Sequence, residues 1–370
     1  MKKFYTAFSA TILTMVLFMS STVTAQLDFL PQGSQLASVS QRIGNTDITI
    51  TYSRPSVNGR EIWGALVPYG MNNLGFGTAT ESPWRAGANE NTVFKTTHDL
   101  TIGGKTLPAG KYGLHMIVNE DNTATVIFSN NHGAWGSYFY EPSEDALRVD
   151  VETNEIPHTE LLTYSFDEVG PNSAVASLKW EKKQIPFTAE TDVTANVLAE
   201  IRQQMQTSPG FNRQTWEQAA NYALNNGGDL DEALSWANAA IEGQFFSQKN
   251  FNNLSLKAQI LERQGKTAEA KAVMDEAMPM GTVFEIHGYG RQLIAQGKKD
   301  EALAVFKWNA KANKGTWPVD FGLARGYSAV GNYKTALKHL KIAEGRAPDQ
   351  LNKNAIVGYI TQLEAGTDIN

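Results

Sequence analysis

One phrase recurs four times in the second half of the chain and constrains its fold more than any other feature: "GDLDEAL" from Gly228, "GKTAEAK" from Gly265, "GKKDEAL" from Gly297 and "GNYKTAL" from Gly331. These glycines lie 37, 32 and 34 residues apart. Each phrase offers a glycine to end one helix, a short polar turn, and an alanine early in the next helix: Ala233, Ala270, Ala302 and Ala336. Twelve residues before three of those alanines stands another small residue, Ala258, Gly290 or Ala324. Seven residues after three of them stands Ala240, Ala277 or Ala343. Small side chains at such offsets let two helices approach closely, and repetition of the pair predicts a stack in which each unit is completed by its neighbour.

The spacing resembles that of the tetratricopeptide repeat, a helix-turn-helix unit of about 34 residues. The likeness extends to the end of the last unit, Ala343 to Pro348, while the first unit departs from it by placing Asn221 where a small residue is expected. "QLNKNAIVGYITQLEAG" is then expected to be the capping helix of the stack. The resemblance implies an interaction surface for a protein or peptide partner.

Upstream the period is two. "TDITITYS" puts Ile48, Ile50 and Tyr52 on one face, and "KYGLHMIV" does the same for Tyr112, Leu114, Met116 and Val118. "TATVIF", "ALRVDVE", "LLTYSF" and "SAVASLKW" continue the alternation to about Phe187. Such runs, bounded by Gly, Asn, Asp and Pro, are strand signals, with "GGK" at 103–105 and "EDN" at 120–122 expected as hairpin connections. An all-β, sandwich-like domain over 26–189 follows, then a linker helix over 190–212 and the helical solenoid over 213–370.

The start of the chain reads as an export signal. Lys2 and Lys3 precede an apolar run from Ala10 to Met19, and Val23, Thr24 and Ala25 make a cleavage site, so residues 1–25 are expected to be removed. That run is too short to span a bilayer, and no other is apolar enough, so no membrane span is expected after cleavage. The expected location is periplasmic or secreted. Export favours disulfides, yet there is no cysteine, so burial alone must hold the fold. A net charge of −6 without a basic run speaks against nucleic acid as a partner.

Chemistry is harder to place. The histidines are scattered without metal-ligand spacing, and nucleotide and nucleophile motifs are missing, so no metal or cofactor is expected. The remaining candidates flank turns: Arg54 before a proline, Arg60 after Asn58-Gly59, and Arg85, Asn89 and Glu90 in "RAGANENTVF". A glycine-rich loop, "PYGMNNLGFGTATESP", lies between them and is long enough to serve as a lid. Arg85 and Glu90 admit two readings, an ion pair that holds a turn or one wall of a ligand cleft. His115 shares a strand face with Lys111 and Gly113, opposite the expected core side, and is either a satisfied structural histidine or a proton-transfer partner. Trp135 and Tyr138, with Tyr140, are either core or a platform for a sugar ring.

"VSQRIGNTDITITYSRPSVNGREIWGALVPYG", "WRAGANENT", "IGGKTLPAGKYGLHMI", "WGSYFY" and "DALRV" together resemble a family of secreted bacterial proteins classed as a domain of unknown function, number twenty-nine eleven. The resemblance runs from about Gln35 to Phe187 and implies a β-rich exported domain, without a reaction. The insert from Met71 to Pro83 departs from many members, which pass almost directly from "LVPYG" to "WR". Two functions fit these observations. One is a binding or scaffold protein whose β domain holds a small polar or glycan ligand and whose repeats hold a protein partner. The other is a hydrolase or lyase with Glu90 as acid or base, His115 as proton-transfer partner, and Arg85 with Arg54 stabilising an anion.

Overall fold

The computed structural model describes residues 31–370, so the expected export signal lies outside the described residues. The chain divides between Thr191 and Asp192 into two compact units.

The first unit is two antiparallel sheets. One has the order β1 (Gln35–Ile43), β2 (Thr46–Arg54), β3 (Ala88–Thr96), β6 (Gly110–Val118), β7 (Thr123–Ser129), β8 (Asp145–Glu152). The other has the order β5 (Lys105–Leu107), β4 (Leu100–Ile102), β10 (Ser173–Glu190), β9 (Asn154–Asp167). Alternation in the sequence becomes burial here. Ile48, Ile50 and Tyr52 of β2 and Leu114, Met116 and Val118 of β6 lose almost all contact with solvent. Phe94, Phe128 and Phe187 meet between the sheets with ring centroids 5.0 to 6.1 Å apart. The turns at Gly103-Gly104 and Asp121-Asn122 connect adjacent antiparallel strands, as "GGK" and "EDN" imply. The last two strands run further than their apolar runs suggest, with register shifts around Glu181 in β10. Glu181 takes a positive φ of 53°, and on each side of it β9 advances four residues, from Thr163 to Thr159 and on to Glu155, where β10 advances two, so the irregularity lies in the longer path of β9.

The second unit is helical. After α1 (Val193–Gln204) come four pairs: α2 (Arg213–Asn225) with α3 (Leu230–Ile241), α4 (Phe251–Arg263) with α5 (Thr267–Ala277), α6 (Val283–Ala295) with α7 (Lys299–Ala312), and α8 (Trp317–Ala329) with α9 (Tyr333–Arg346). A last helix, α10 (Gln350–Glu364), covers the end of the stack. Ala233, Ala270, Ala302 and Ala336 are buried to 0 or 1% exposure, as are Ala240, Ala277 and Ala343. Gly290 of α6 faces Phe306 of α7 so closely that an added Cβ would lie 2.6 Å from the ring.

The first pair is offset. Gly265, Gly297 and Gly331 end their helices in the left-handed conformation, but in the first turn Gly227, not Gly228, takes that role, with φ 76°. Four residues separate α2 from α3, whereas three separate the helices of each later pair. The small contact residue therefore falls on buried Ala220, and Asn221 faces solvent. The departure at Asn221 thus reflects a turn that is one residue longer.

Candidate functional site

The segment after the insert shapes a cleft on the first unit. Beyond Leu114 the β6 edge is no longer paired by β3, and Trp84 takes it over through two backbone bonds with Met116, of 2.9 and 2.8 Å. The chain then turns at Ala86, with φ 50°, and again at Asn89, with φ 58°. The left-handed residues are thus not Gly87. Gly87 is required for another reason, since a Cβ there would lie 2.5 Å from the Thr92 hydroxyl. Ala86 is held in its strained conformation by two donors to its carbonyl, Tyr164 Oη at 2.9 Å and Thr92 Oγ1 at 3.1 Å.

This turn aims Arg85 along the wall of a cleft of about 340 Å³. Arg85 Nη1 donates to the Asn89 carbonyl at 2.6 Å, and the guanidinium lies 5.1 Å from the centroid of the Tyr138 ring. Gly136 leaves room for it, because any side chain there would overlap the guanidinium. Arg60 stands across the cleft, anchored by its Nε to the Val57 carbonyl at 3.1 Å and by Nη2 to the Ser56 carbonyl at 2.5 Å. Trp84 and Trp180 line the floor, nearly parallel with centroids 6.0 Å apart, and Trp63 packs edge-on against both. Trp180 is 1% exposed and its indole N–H has no partner among the described residues. Asn72, Ser82 and Ser137 add polar groups, while no Asp or Glu is among the described residues that line the space.

The sequence candidates separate into those that meet in this cleft and those that do not. Arg60, Arg85 and Asn89 line it, and Tyr138 supports Arg85 from behind. Glu90 is exposed, does not pair with Arg85, and accepts a bond from Ser53 Oγ at 3.2 Å. Of the two readings of Arg85 and Glu90, the ion pair is not formed: Arg85 holds the turn through the backbone carbonyl of Asn89 instead of a carboxylate. Arg54 bridges the sheets, its Nε donating to the Leu162 carbonyl and its Nη2 to Thr163 Oγ1. Trp135 is 51% exposed and makes no ring contact among the described residues, so it is not core. Tyr140 is core, with its hydroxyl donating to Asp145 at 2.6 Å.

His115 is the second correction. It lies on the face expected to meet solvent, yet it is only 2% exposed. The connection between β7 and β8 folds back over that face, bringing Ser137 Oγ within 2.9 Å of His115 Nδ1. Alternation assigns residues to faces but does not reveal that a loop will cover one. Burial, with a lesser contribution from the charge of Arg85, lowers the His115 pKa to about 4, so the ring is neutral at neutral pH.

The insert is not a free lid. Asn72 and Ser82 close it with paired backbone bonds of 3.0 and 2.8 Å. Further out, Ala79 donates to the Tyr138 carbonyl at 3.1 Å, and Phe76 packs on Tyr138 and Phe139. Asn72 and Ser82 lie in the loop expected as a lid and Ser137 in "WGSYFY", but the sequence singles out neither these three nor Trp180 as a site residue. Trp180 reads as one more alternating strand residue, and the hydroxyl and amide groups reach the cleft only through the closing of the loop.

The helical unit holds a larger groove of about 750 Å³ among α2, α4, α5, α6 and α7, edged by the Lys298–Glu262 ion pair at 2.9 Å. No group of His, Cys, Asp and Glu suited to a metal ion occurs among the described residues.

A two-sheet β domain with a donor-rich cleft, followed by a stack of helix pairs, defines the class of this chain. Residues 34–189, the β unit, match the model of the family described as "Protein of unknown function (DUF2911)". The helical region is similar to tetratricopeptide repeat structures. YrrB, described as a TPR protein with an unusual peptide-binding site, shows 17% identity over 45% of this chain and 84% of its own, with a TM-score of 0.29. A tetratricopeptide repeat protein from Parabacteroides merdae shows 16% identity over 47% and 71%, with a TM-score of 0.31. MamA from MSR-1 shows 15% over 42% and 87%, with a TM-score of 0.27. No curated protein matches the sequence. The repeat architecture itself rests on the helix pairs and the buried small residues between them.

Proposed function

We propose that the protein is a binding protein, with a small-ligand site in its β unit and helix pairs that engage a protein or peptide. One observation carries the first part. The cleft brings Arg60 and Arg85 together with a tryptophan floor, and no carboxylate is among the described residues that line it. Two guanidinium groups with no lining carboxylate to balance their charge favour a ligand that brings negative charge, and the flat floor favours a ring or apolar body beside it. A small polar ligand with a carboxylate or phosphate fits these demands, and among glycans an acidic sugar fits better than a neutral one. The groove of the helical unit supports the second part, since a surface built from successive helix pairs can follow an extended chain. With the export expected from residues 1–25, the ligand would be met outside the cytoplasm.

The enzymatic reading draws no support from the site. Glu90 lies outside the cleft lining, and a histidine with a pKa near 4 behind Ser137 is a poor base at neutral pH. Thermal shift with glucuronate and glucose tests the proposal, because these probes share a ring and differ in charge. Glucuronate is expected to raise the melting temperature more than glucose, with the difference abolished by Arg85→Gln. Equal responses, or a response unchanged in Arg85→Gln, would overturn it.

A further inference from the structure

The last residues of the chain lie in a seat on helix α8. Gly366, with φ 77°, ends α10 and turns the chain back, after which Thr367–Asn370 runs against α8. Ile369 is 4% exposed and joins an apolar cluster with Ala324, Leu340 and Ile356. Its backbone is bonded on both sides: its N–H donates to Ser328 Oγ at 3.2 Å, and its carbonyl accepts from Arg325 Nη1 at 3.1 Å. Ser328 Oγ donates in turn to Asp368 at 2.6 Å, and the Asn370 amide donates to the Arg325 carbonyl at 3.1 Å.

Arg325 is built into this seat. It is 9% exposed, and its guanidinium lies against the adjoining rings of Phe321 and Tyr359, 4.8 and 5.2 Å from their centroids. Burial and the neighbouring charge of Arg291 both work against its positive charge, while Asp368 of the tail favours it. Its Nε is buried without a partner among the described residues.

We propose that Thr367–Asn370 is a built-in occupant of a peptide seat, and that the seat takes in its place an extended segment of a partner protein with the same chemistry: an acidic residue, a branched apolar residue, then an amide. Three features favour an exchangeable occupant over fixed packing. The bonds to both sides of Ile369 read backbone, so they serve any extended residue with a suitable side chain. The left-handed Gly366 lets the tail swing away without unwinding α10. The tail also leaves the buried Arg325 Nε unfilled, so a ligand with one more acceptor would satisfy a donor that the chain itself does not.

A tethered occupant competes at an effective concentration on the order of millimolar, so it masks the seat from free peptide. The test uses the full chain and a fluorescent peptide with the sequence of Gly366–Asn370. The double variant Asp368→Ala, Ile369→Ala weakens the tail and leaves Arg325 and Ser328 in place. It is expected to bind the peptide about tenfold or more tightly than the wild type. Adding Arg325→Gln is expected to abolish the gain, and the reversed peptide is expected not to bind. Equal binding by wild type and double variant, no binding by either, or equal binding of the reversed peptide would overturn the proposal. Should the double variant lose helical circular dichroism, excess peptide is expected to restore it, and failure to do so would equally overturn the proposal.

Discussion

The carbonyl of Ala86 accepts the hydroxyl of Tyr164 at 2.9 Å, tying the left-handed turn that carries Arg85 to strand β9 of the opposite sheet. A non-glycine residue in that conformation costs about 1 to 2 kcal/mol, which this bond and the second one from Thr92 offset. Tyr164→Phe is therefore expected to destabilise the β unit by about 1 kcal/mol in urea denaturation. Tyr164→Phe with Thr92→Val leaves the buried carbonyl without a donor and should cost more than the sum of the two. Simple additivity would show that the carbonyl finds another partner.

His115 should not titrate in the neutral range. Its folded pKa of about 4 lies below the ordinary value of 6.5, so between these limits the unfolded chain binds more protons. The stabilising contribution is full above about pH 6.5 and is lost as the pH falls towards 4. The ring proton resonances of His115 are expected to stay unchanged from pH 8 to pH 5.5. A midpoint near 6.5 would mean that the loop over β6 opens to solvent.

Two glycines of α6 should respond in opposite directions. Gly290 meets Phe306, so Gly290→Ala must displace the ring and is expected to cost about 1 to 3 kcal/mol. Gly288 is exposed, with nothing within 4 Å of an added Cβ, so Gly288→Ala should stabilise the helix by about 0.5 to 1 kcal/mol. Thermal melts of both variants check the pair, and a stabilising Gly290→Ala would contradict the close packing of α6 on α7.

Gly136 controls the cleft without lining it. It has φ 63° and its missing side chain is the space that the Arg85 guanidinium fills. Gly136→Ala is expected to displace Arg85 and remove the difference between glucuronate and glucose. Retention of that difference would show that Arg85 does not set the charge preference.

The architecture was legible because both periods are local and repeated. Ile48, Ile50 and Tyr52 announce a buried sheet face, and Ala270, Ala302 and Ala336 announce close helix contacts, each from its own neighbourhood in the chain. The site was legible only in part. Arg85 and Asn89 share one turn with the family motif, but Arg60, Ser137 and Trp180 reach the same cleft from strands and loops far apart in sequence. The burial of His115 depended on a loop more than twenty residues away, and the pairing of Arg85 depended on a backbone carbonyl, which every residue possesses and no motif distinguishes.

The longer first turn bears on how the stack can be read. One residue advances an α-helix by about 100°, so a position counted back from Gly228 in the first unit points about a quarter of a turn away from its counterpart in the others. Asn221 and Ala220 already exchange roles in this way, one facing solvent and the other the partner helix. A consensus transferred along the chain by counting would therefore rotate the outer surface of α2 into the core. Grafting a contact from a later unit onto the first requires deleting one residue between Asn226 and Asp229 beforehand.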